Sequence, residues 1–509
     1  MDRAKGTPAP KRTGITVFSG GTGGNSLVDV FNRIIERRKC QLNYIIPISD
    51  NGGSSSELIR FIGGPSVGDV RSRLVRLIPN HEDDPERTAL KALFEYRLCR
   101  DGGEARTEWL DVVEGRHPLW AAVSSPKREL IRSVLNTLNL EIVKRARPTS
   151  VFNFAEASIG NMFLTGARLF SGSFESAIYL LSMICAIPTS ISVLPAINSN
   201  FTHHICAGLE DGTQIAGQVA ISHPAEHSAL PDDDDGSSSS SSSSSSNGSS
   251  NEQRVTTPGG DGRTGQVPDE DDNDDHDDGE SHDQQHDGED ANLPGSLPAL
   301  GRRHVGFTKD ADRDDDLPAR VSRLWYINPY GHEIWPAANP KAVAAVAASH
   351  TVVYSVGSLY TSIVPSVVLG GIGAAIADPG VRKRVLVLNS GIDRETGPRG
   401  RPMGGRDFVA ALARAGEESR AGKGGGRGRR GGGGGEGEMR RYVTHLIYLR
   451  GKGAPAVDEE EMRGLGIECV RVAAAGMVGG GEGGGEAGGR VLRYDEAELG
   501  RALEAIMDS

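Results

Sequence analysis

The sequence predicts an α/β fold: a Rossmann-like, doubly wound, mainly parallel sheet in three αβα layers, interrupted by a disordered acidic and serine-rich insert. Two observations carry this prediction. The apolar runs 15–18 and 44–48 each lead directly into a glycine-rich loop. Apolar residues at helical spacing follow the first loop, so strand and helix alternate. Continuous apolar strands separated by helices are typical of a parallel sheet covered on both faces.

The same patterns extend along the rest of the chain. The uncharged stretch 178–197 contains Pro188 and Pro195, so we interpret it as a buried helix followed by a strand rather than a membrane span. We expect a hairpin around Asp211 and Gly212. Further strands are expected at 190–194, 215–221, 322–328, 351–355, 385–388, 442–449 and 467–472. Helices are expected at 26–39, around 74–78, and at 158–170 and 495–507.

Composition divides the chain into one folded domain and several low-complexity segments. The net charge is −12, but residues 226–300 contain twenty acidic and two basic residues, so the remainder is mildly basic. This balance gives no support for nucleic-acid binding. The predicted organisation is a basic tail at 1–13, one domain formed by 14–225 and 319–509, the insert at 226–318, and glycine-rich loops at 416–440 and 476–489.

Cysteine usage and the amino terminus predict a cytoplasmic protein. The five cysteines are scattered and lack the spacing of a metal site, which favours reduced thiols. The chain opens on a short basic segment that does not resemble a secretory signal. We expect no membrane partner, and the sequence leaves a homodimer open.

The first glycine-rich loop, residues 20–24, has the composition of a phosphate-binding turn. It lacks the lysine of a Walker loop, and its glycine spacing differs from that of dinucleotide-binding proteins. A loop without side chains lets a charged ligand approach backbone N–H groups at the start of a helix. The alternative is that these glycines serve only close packing of helix and strand.

Several polar residues lie where strands end or helices begin. Asp50 follows the second strand and could bind Mg²⁺, accept a hydroxyl proton, or cap its own turn. Asp69 could be catalytic or a helix N-cap. Arg71 could bind a phosphate, or it could simply be an exposed, solvated side chain on its helix. Asn161 could hydrogen-bond a sugar or base, or it could hydrogen-bond backbone groups at the start of its helix.

A third strand-to-helix junction contains small hydroxyl residues. It spans 357–362, directly after the predicted strand 351–355. Pro365 suits the first turn of the helix that follows. Close packing of helices against strands does not require three glycine-containing junctions in one chain. Together the three junctions therefore predict a nucleotide-sized ligand.

With these junctions, the chain resembles the CofD-like family, which includes 2-phospho-L-lactate transferases and YvcK-type gluconeogenesis factors. The resemblance covers about 14–225 and 320–509, and the low-complexity insert favours a eukaryotic, fungal member. The segments that carry it are Phe18-Ser19-Gly20-Gly21-Thr22-Gly23-Gly24, Ser49-Asp50-Asn51-Gly52-Gly53-Ser54-Ser55, Gly68-Asp69-Val70-Arg71, Ser158-Ile159-Gly160-Asn161 and 357–365.

The resemblance implies a nucleotide-diphosphate-binding protein, with a ligand of the GDP or UDP-sugar type. It favours a Mg²⁺-assisted transferase of phosphorus-containing groups with an unknown acceptor. The alternative is a non-catalytic sensor of UDP-sugars or nucleotides that regulates carbon metabolism. The catalytic candidates are Asp50 and Asp69. By resemblance, Asp50 binds Mg²⁺ or orients the attacking hydroxyl, whereas Asp69, Arg71 and Asn161 line the ribose and diphosphate region. The implied ligand-binding residues are Gly20, Gly21, Thr22, Gly23, Gly24, Asn25, Asn51, Gly52, Gly53, Ser54, Arg71, Asn161, Gly357, Ser358, Tyr360, Thr361 and Ser362.

Overall fold

A computed structural model describes residues 13–21, 23–49, 52, 54–79, 84–222, 297, 316–422, 436–475 and 492–509. The described strands, in chain order, are β1 Gly14–Phe18, β2 Leu42–Ile46, β3 Ile191–Pro195, β4 His204–Leu209, β5 Gln214–Ala216, β6 Val321–Ile327, β7 Glu333–Ile334, β8 Ser349–Tyr354, β9 Lys383–Val387, β10 His445–Tyr448 and β11 Glu468–Arg471.

Helices connect the strands and cover the sheet. In chain order they are α1 Val28–Arg38, α2 Ser54–Ile62, α3 Gly68–Arg76, α4 Pro85–Glu95, α5 Gly102–Glu114, α6 Ser125–Arg145, α7 Ile159–Ser171, α8 Phe174–Ile184, α9 Gln218–Ser222, α10 Pro340–Ala348, α11 Val364–Val367, α12 Ile372–Ile376, α13 Gly405–Ala421, α14 Glu436–Tyr442, α15 Glu459–Gly464 and α16 Glu496–Asp508. A 3₁₀ turn at Gly23–Leu27 precedes α1, and a π turn at Leu359–Ile363 precedes α11.

The predicted α/β class is confirmed by a seven-stranded parallel sheet. Its strand order is β11-β10-β9-β8-β1-β2-β3, so β1 lies between β2 and β8 near the middle. Ile15 pairs with Leu42 on one side and with Thr351 on the other. Four of the five residues of β1 are fully buried, as expected for a central strand with helices on both faces.

A second, smaller sheet was not predicted. It is antiparallel, with strand order β5-β4-β6-β7. The hairpin around Asp211 and Gly212 is present and joins β4 to β5, but the predicted strand 215–221 is only partly a strand, since α9 takes its second half.

The predicted low-complexity segments are largely outside the described residues. The tail is undescribed through residue 12, and so are most of the insert and the loop at 476–489. The predicted loop at 416–440 is shorter than expected, because α13 continues to Ala421 and α14 begins at Glu436. We found no helix among the described residues that has the length and apolarity to cross a membrane. All five cysteines are free thiols.

Candidate functional site

A cleft of about 970 Å³ opens at the carboxyl ends of four strands. Its wall contains Gly20 after β1, Gly52 after β2, Gly357 after β8 and Asn389 after β9. The chain winds outward from β1 through β2 in one direction and from β8 through β9 in the other. Open α/β sheets bind ligands at such a reversal. The topology therefore explains why residues distant in sequence line one cleft.

The first glycine loop is closely approached by two polar side chains. A Cβ atom on Gly20 would lie 2.5 Å from Ser362 Oγ and 3.2 Å from Asp69 Oδ2. A Cβ atom on Gly21 would overlap the Asp69 carboxylate. The missing side chains thus let α3 and the segment after β8 reach the loop. Asp69 and Ser362 both line the cleft, so a carboxylate and a hydroxyl lie together at its wall.

Arg73 holds the same loop from inside the protein. Its side chain is fully buried and donates to the carbonyl oxygens of Gly24 and Gly20 and to Ser19 Oγ, each at 3.1 Å. The guanidinium also lies 4.4 Å from the ring centroid of Tyr44. Burial lowers the pKa of Arg73. This arginine is therefore a structural anchor of the loop.

Arg71 is placed in the cleft by a chain of hydrogen bonds. Its Nε donates to Asn161 Oδ1 at 3.1 Å, and Asn161 Nδ2 donates to Ser55 Oγ at 3.4 Å. Gly160 makes room for it, because a Cβ atom there would lie 2.8 Å from Arg71 Cγ. Burial, followed by repulsion from Arg97, lowers the pKa of Arg71 to about 10. Arg71 thus remains positively charged at neutral pH.

The third junction is fixed by residues that follow β9. Asn389 Oδ1 accepts from the Gly357 N–H, and Asn389 Nδ2 donates to the Gly357 carbonyl, both at 2.9 Å. The backbone N–H groups of Tyr360 and Thr361 donate to Glu395 Oε2 at 2.8 and 3.0 Å. A side-chain acceptor thus satisfies donors at the start of the π turn.

Two carboxyl groups beside this junction, one buried and one partly buried, were not predicted. Glu395 is 1 % exposed, and Asp393 lines the cleft. Burial raises the pKa of Glu395, and the neighbouring Asp393 raises it further. Burial also raises the pKa of Asp393. The only sequence signal was that polar residues follow a fourth apolar strand at the same edge of the sheet.

The residues described at the cleft fit a Mg²⁺ ion held mainly by its ligand. No cluster of three or more His, Cys, Asp or Glu side chains that could bind a metal occurs within the described part of the chain. Mg²⁺ is commonly held by one or two carboxylates together with phosphate oxygens of the substrate. Asp69, with Ser362 beside it, supplies oxygen donors of that kind. Asp50, the predicted metal ligand, is not among the described residues.

Most of the predicted binding residues that the structure describes meet at this cleft. Those in its wall are Gly20, Gly21, Gly23, Gly52, Asp69, Arg71, Asn161, Gly357, Ser358, Thr361 and Ser362. Three others lie outside the wall: Gly24 faces Arg73, Asn25 Nδ2 donates to Ser72 Oγ at 2.8 Å, and the Tyr360 hydroxyl donates to the Val321 carbonyl at 3.0 Å. Predictions that fall outside the described residues concern Thr22, Asp50, Asn51, Gly53 and the side chain of Ser54.

Comparison with known proteins identifies related sequences over most of the chain. A family model described as 2-phospho-L-lactate transferase CofD matches residues 15–419. A Saccharomyces cerevisiae protein described as uncharacterised is 35% identical over 461 residues, which cover 91% of this chain and 95% of that protein. A gluconeogenesis factor from Halalkalibacterium halodurans is 25% identical over 211 residues, 42% of this chain and 46% of that protein.

A solved structure shares the fold. The crystal structure of a UPF0052-family protein from Bacillus halodurans matches with a TM-score of 0.52 and 16% sequence identity, and the match covers 96% of this chain and 99% of that chain. At this identity the likeness concerns the fold alone.

Proposed function

This chain belongs to the CofD family, and we propose that it binds a nucleotide-activated small molecule and transfers a phosphorus-containing group from it with the assistance of Mg²⁺. The observation that supports this proposal is the convergence at one cleft of glycine-containing strand ends from β1, β2 and β8 with the charged Arg71. Backbone N–H groups and an arginine suit a diphosphate, whereas an apolar ligand would not need them.

The residues at the cleft suit transfer by positioning and charge neutralisation. The acceptor hydroxyl oxygen forms a bond to the transferred phosphorus, the bond from that phosphorus to the bridging oxygen breaks, and a nucleoside monophosphate leaves. Asp69, held against the first glycine loop, accepts the hydroxyl proton or orients the hydroxyl. Arg71 neutralises charge on the departing phosphate. Bound Mg²⁺ would supply further charge neutralisation, with Asp69 and Asp50 as its proposed protein ligands.

A release assay tests catalysis. The purified full chain is incubated with Mg²⁺, a guanylyl-activated phospholactate and a panel of hydroxyl acceptors, and GMP release is measured by chromatography. We expect release that depends on acceptor and Mg²⁺ and that falls at least about a hundredfold in Asp69→Asn. Binding of GDP, measured by thermal shift with and without Mg²⁺, should persist in that variant.

A non-catalytic role is the second candidate. It is favoured by the gluconeogenesis factors among the relatives, which align with less than half of this chain. In that case the cleft would bind a UDP-sugar or nucleotide as a signal for carbon metabolism. Stabilisation by a UDP-sugar in the thermal-shift panel, combined with no monophosphate release from any activated substrate, would support the sensor and contradict the transferase.

A further inference from the structure

Glu395 occupies the place at the third junction, residues 357–362, that an anionic ligand would take. Its Oε2 accepts from the backbone N–H groups of Tyr360 and Thr361 at 2.8 and 3.0 Å. The Thr361 hydroxyl donates to its Oε1. Backbone N–H groups at the start of a turn are common contacts of a bound phosphate. Here a carboxyl group of the protein uses them instead.

Two further N–H groups of this junction also donate to acceptors within the protein. Gly357 donates to Asn389 Oδ1 at 2.9 Å, and Ser362 donates to the Ser358 carbonyl at 2.9 Å. Ser358 and Ser362 both line the cleft. A serine hydroxyl can donate and accept a hydrogen bond. The third junction therefore meets a ligand through these hydroxyls rather than through the four N–H groups that the protein already uses.

The turn that carries Glu395 is closed by its own capping contacts. Asp393 Oδ1 accepts from the Thr396 N–H at 3.0 Å and from the Thr396 hydroxyl at 2.7 Å. The Asp393 N–H donates to Thr396 Oγ1 at 3.0 Å, which completes a capping box. Glu395 lies inside this turn and is 1 % exposed. A carboxyl group is thus held rigidly at a buried position, although burial is unfavourable to its charged form.

Ser362 connects the position of the π turn to the first glycine loop. A Cβ atom on Gly20 would lie 2.5 Å from Ser362 Oγ, and a Cβ atom on Gly23 would lie 3.1 Å from Gly357 Cα. A shift of the π turn would therefore move Ser362 relative to the loop. Glu395 is not part of the described cleft wall, so its influence on a ligand passes through these neighbours.

We propose that Glu395 is a positioning residue of the cleft, which holds the π turn so that the hydroxyls of Ser358 and Ser362 face a bound nucleotide. This inference rests on the nucleotide binding that the proposed function assigns to the cleft. It does not require transfer of a group, because a nucleotide sensor would need the same contacts.

The test is a double-mutant cycle between Glu395 and Ser362 in the full chain. Glu395→Ala, Ser362→Ala and the double variant are compared with the wild type. The probes are GDP and UDP-glucose, each with Mg²⁺, and binding is measured by calorimetry. Hydrogen exchange of residues 358–362, followed by mass spectrometry, reports whether the turn opens.

Control variants separate positioning from folding. Glu175→Ala removes another buried glutamate, 7 % exposed, which accepts from the Tyr179 hydroxyl at 2.7 Å and lies outside the described cleft wall. Glu395→Gln keeps an oxygen that accepts from both N–H groups, and its amide can donate to Thr361 Oγ1. Glu395→Asp is one methylene shorter and takes the place of Glu395→Ala in the cycle if that variant does not fold.

We expect Ser362→Ala to weaken nucleotide binding by about fivefold, as for loss of one hydrogen bond, and Glu395→Ala to weaken it at least as much. In the Glu395→Ala background, Ser362→Ala should cost less than about twofold, because its hydroxyl no longer faces the ligand. Exchange of residues 358–362 should become faster in Glu395→Ala. Glu395→Gln should restore both affinity and protection, and Glu175→Ala should alter neither.

Three results would overturn the inference: unchanged affinity in Glu395→Ala, additive losses in the cycle, or an equal loss in Glu175→Ala. A wild-type protein that binds neither probe would overturn it together with nucleotide binding itself. Failure of the transferase alone gives a different result. In that case no GMP is released, while Glu395 and Ser362 remain coupled in nucleotide binding.

Discussion

Replacing Arg73 by methionine tests whether the first glycine loop depends on a buried arginine. Arg73→Met keeps an unbranched side chain of similar reach but removes the charge and every donor. The carbonyls of Gly20 and Gly24 and the Ser19 hydroxyl would each lose a hydrogen bond of 3.1 Å. Ser19, Gly20 and Gly24 are buried residues, as is Arg73 itself.

The expected loss follows from these three acceptors. Leaving one buried polar group without a partner costs about 1–3 kcal/mol, and breaking a buried charged network by removing one member costs about 3–5 kcal/mol in total. We therefore expect Arg73→Met to lower the free energy of unfolding by about 3–5 kcal/mol. This is a large part of the roughly 5–15 kcal/mol available to a typical domain.

The assay is urea unfolding followed by circular dichroism, with Arg76→Met as the control. Arg76 lies one turn further along α3, where it pairs with Asp29 and both side chains are partly exposed at 31% and 50%. Loss of that pair should cost at most about 1 kcal/mol. If Arg73→Met costs no more than Arg76→Met, the buried arginine does not hold the loop and the reasoning is refuted.

Three further predictions concern other parts of the domain. A Cβ atom at Gly160 would overlap the Phe94 carbonyl oxygen and would lie 2.8 Å from Arg71 Cγ. Gly160→Ala should therefore displace the end of α4 as well as Arg71 and destabilise the protein by about 1–3 kcal/mol, measured by urea unfolding; an unchanged midpoint would contradict this close approach. Burial lowers the pKa of His203 and of His204 to about 4, below the value of about 6.5 in the unfolded chain. Their contribution to stability is therefore complete above pH 6.5 and is lost as the pH falls towards 4. Replacing both histidines by asparagine should reduce the fall in melting temperature between pH 6.5 and pH 4. If the melting temperature falls with pH as steeply in the double variant as in the wild type, the two histidines do not cause that fall. Deletion of residues 226–300 should leave GDP affinity within about twofold of wild type by calorimetry, whereas a large loss would mean that the insert contributes to the cleft.

Local sequence patterns were sufficient to predict the central sheet and the glycine-containing strand ends. An apolar strand followed by glycines has a simple physical meaning: the strand is buried and the loop is closely approached. Gly20 and Gly357 therefore appear in the cleft as expected. Asp69 and Asn161 were candidates from their positions at predicted helix starts, and the family resemblance favoured a ligand-binding role over a structural one.

Residues whose roles depend on distant partners could not be predicted. Arg73 has the sequence pattern of an exposed helix position, but the first glycine loop and the Tyr44 ring cover it in the fold. Tyr360 resembles a ligand-binding residue, but its hydroxyl is used by the Val321 carbonyl. Asn389 and Glu395 acquire their roles because β9 lies beside β8, which is a property of strand order rather than of local sequence.

Strand β1 acquires its central position only late in synthesis. The side chain of Thr16 shares a hydrogen bond of 2.7 Å with Ser349, which is 333 residues away. At about 5–20 residues per second, a ribosome needs roughly 20–70 seconds to make the intervening chain. During that interval the amino-terminal half has an apolar strand with one unpaired edge, which is the kind of surface that associates with other chains. Production of this protein should therefore respond strongly to translation speed and to chaperones that shield strand edges.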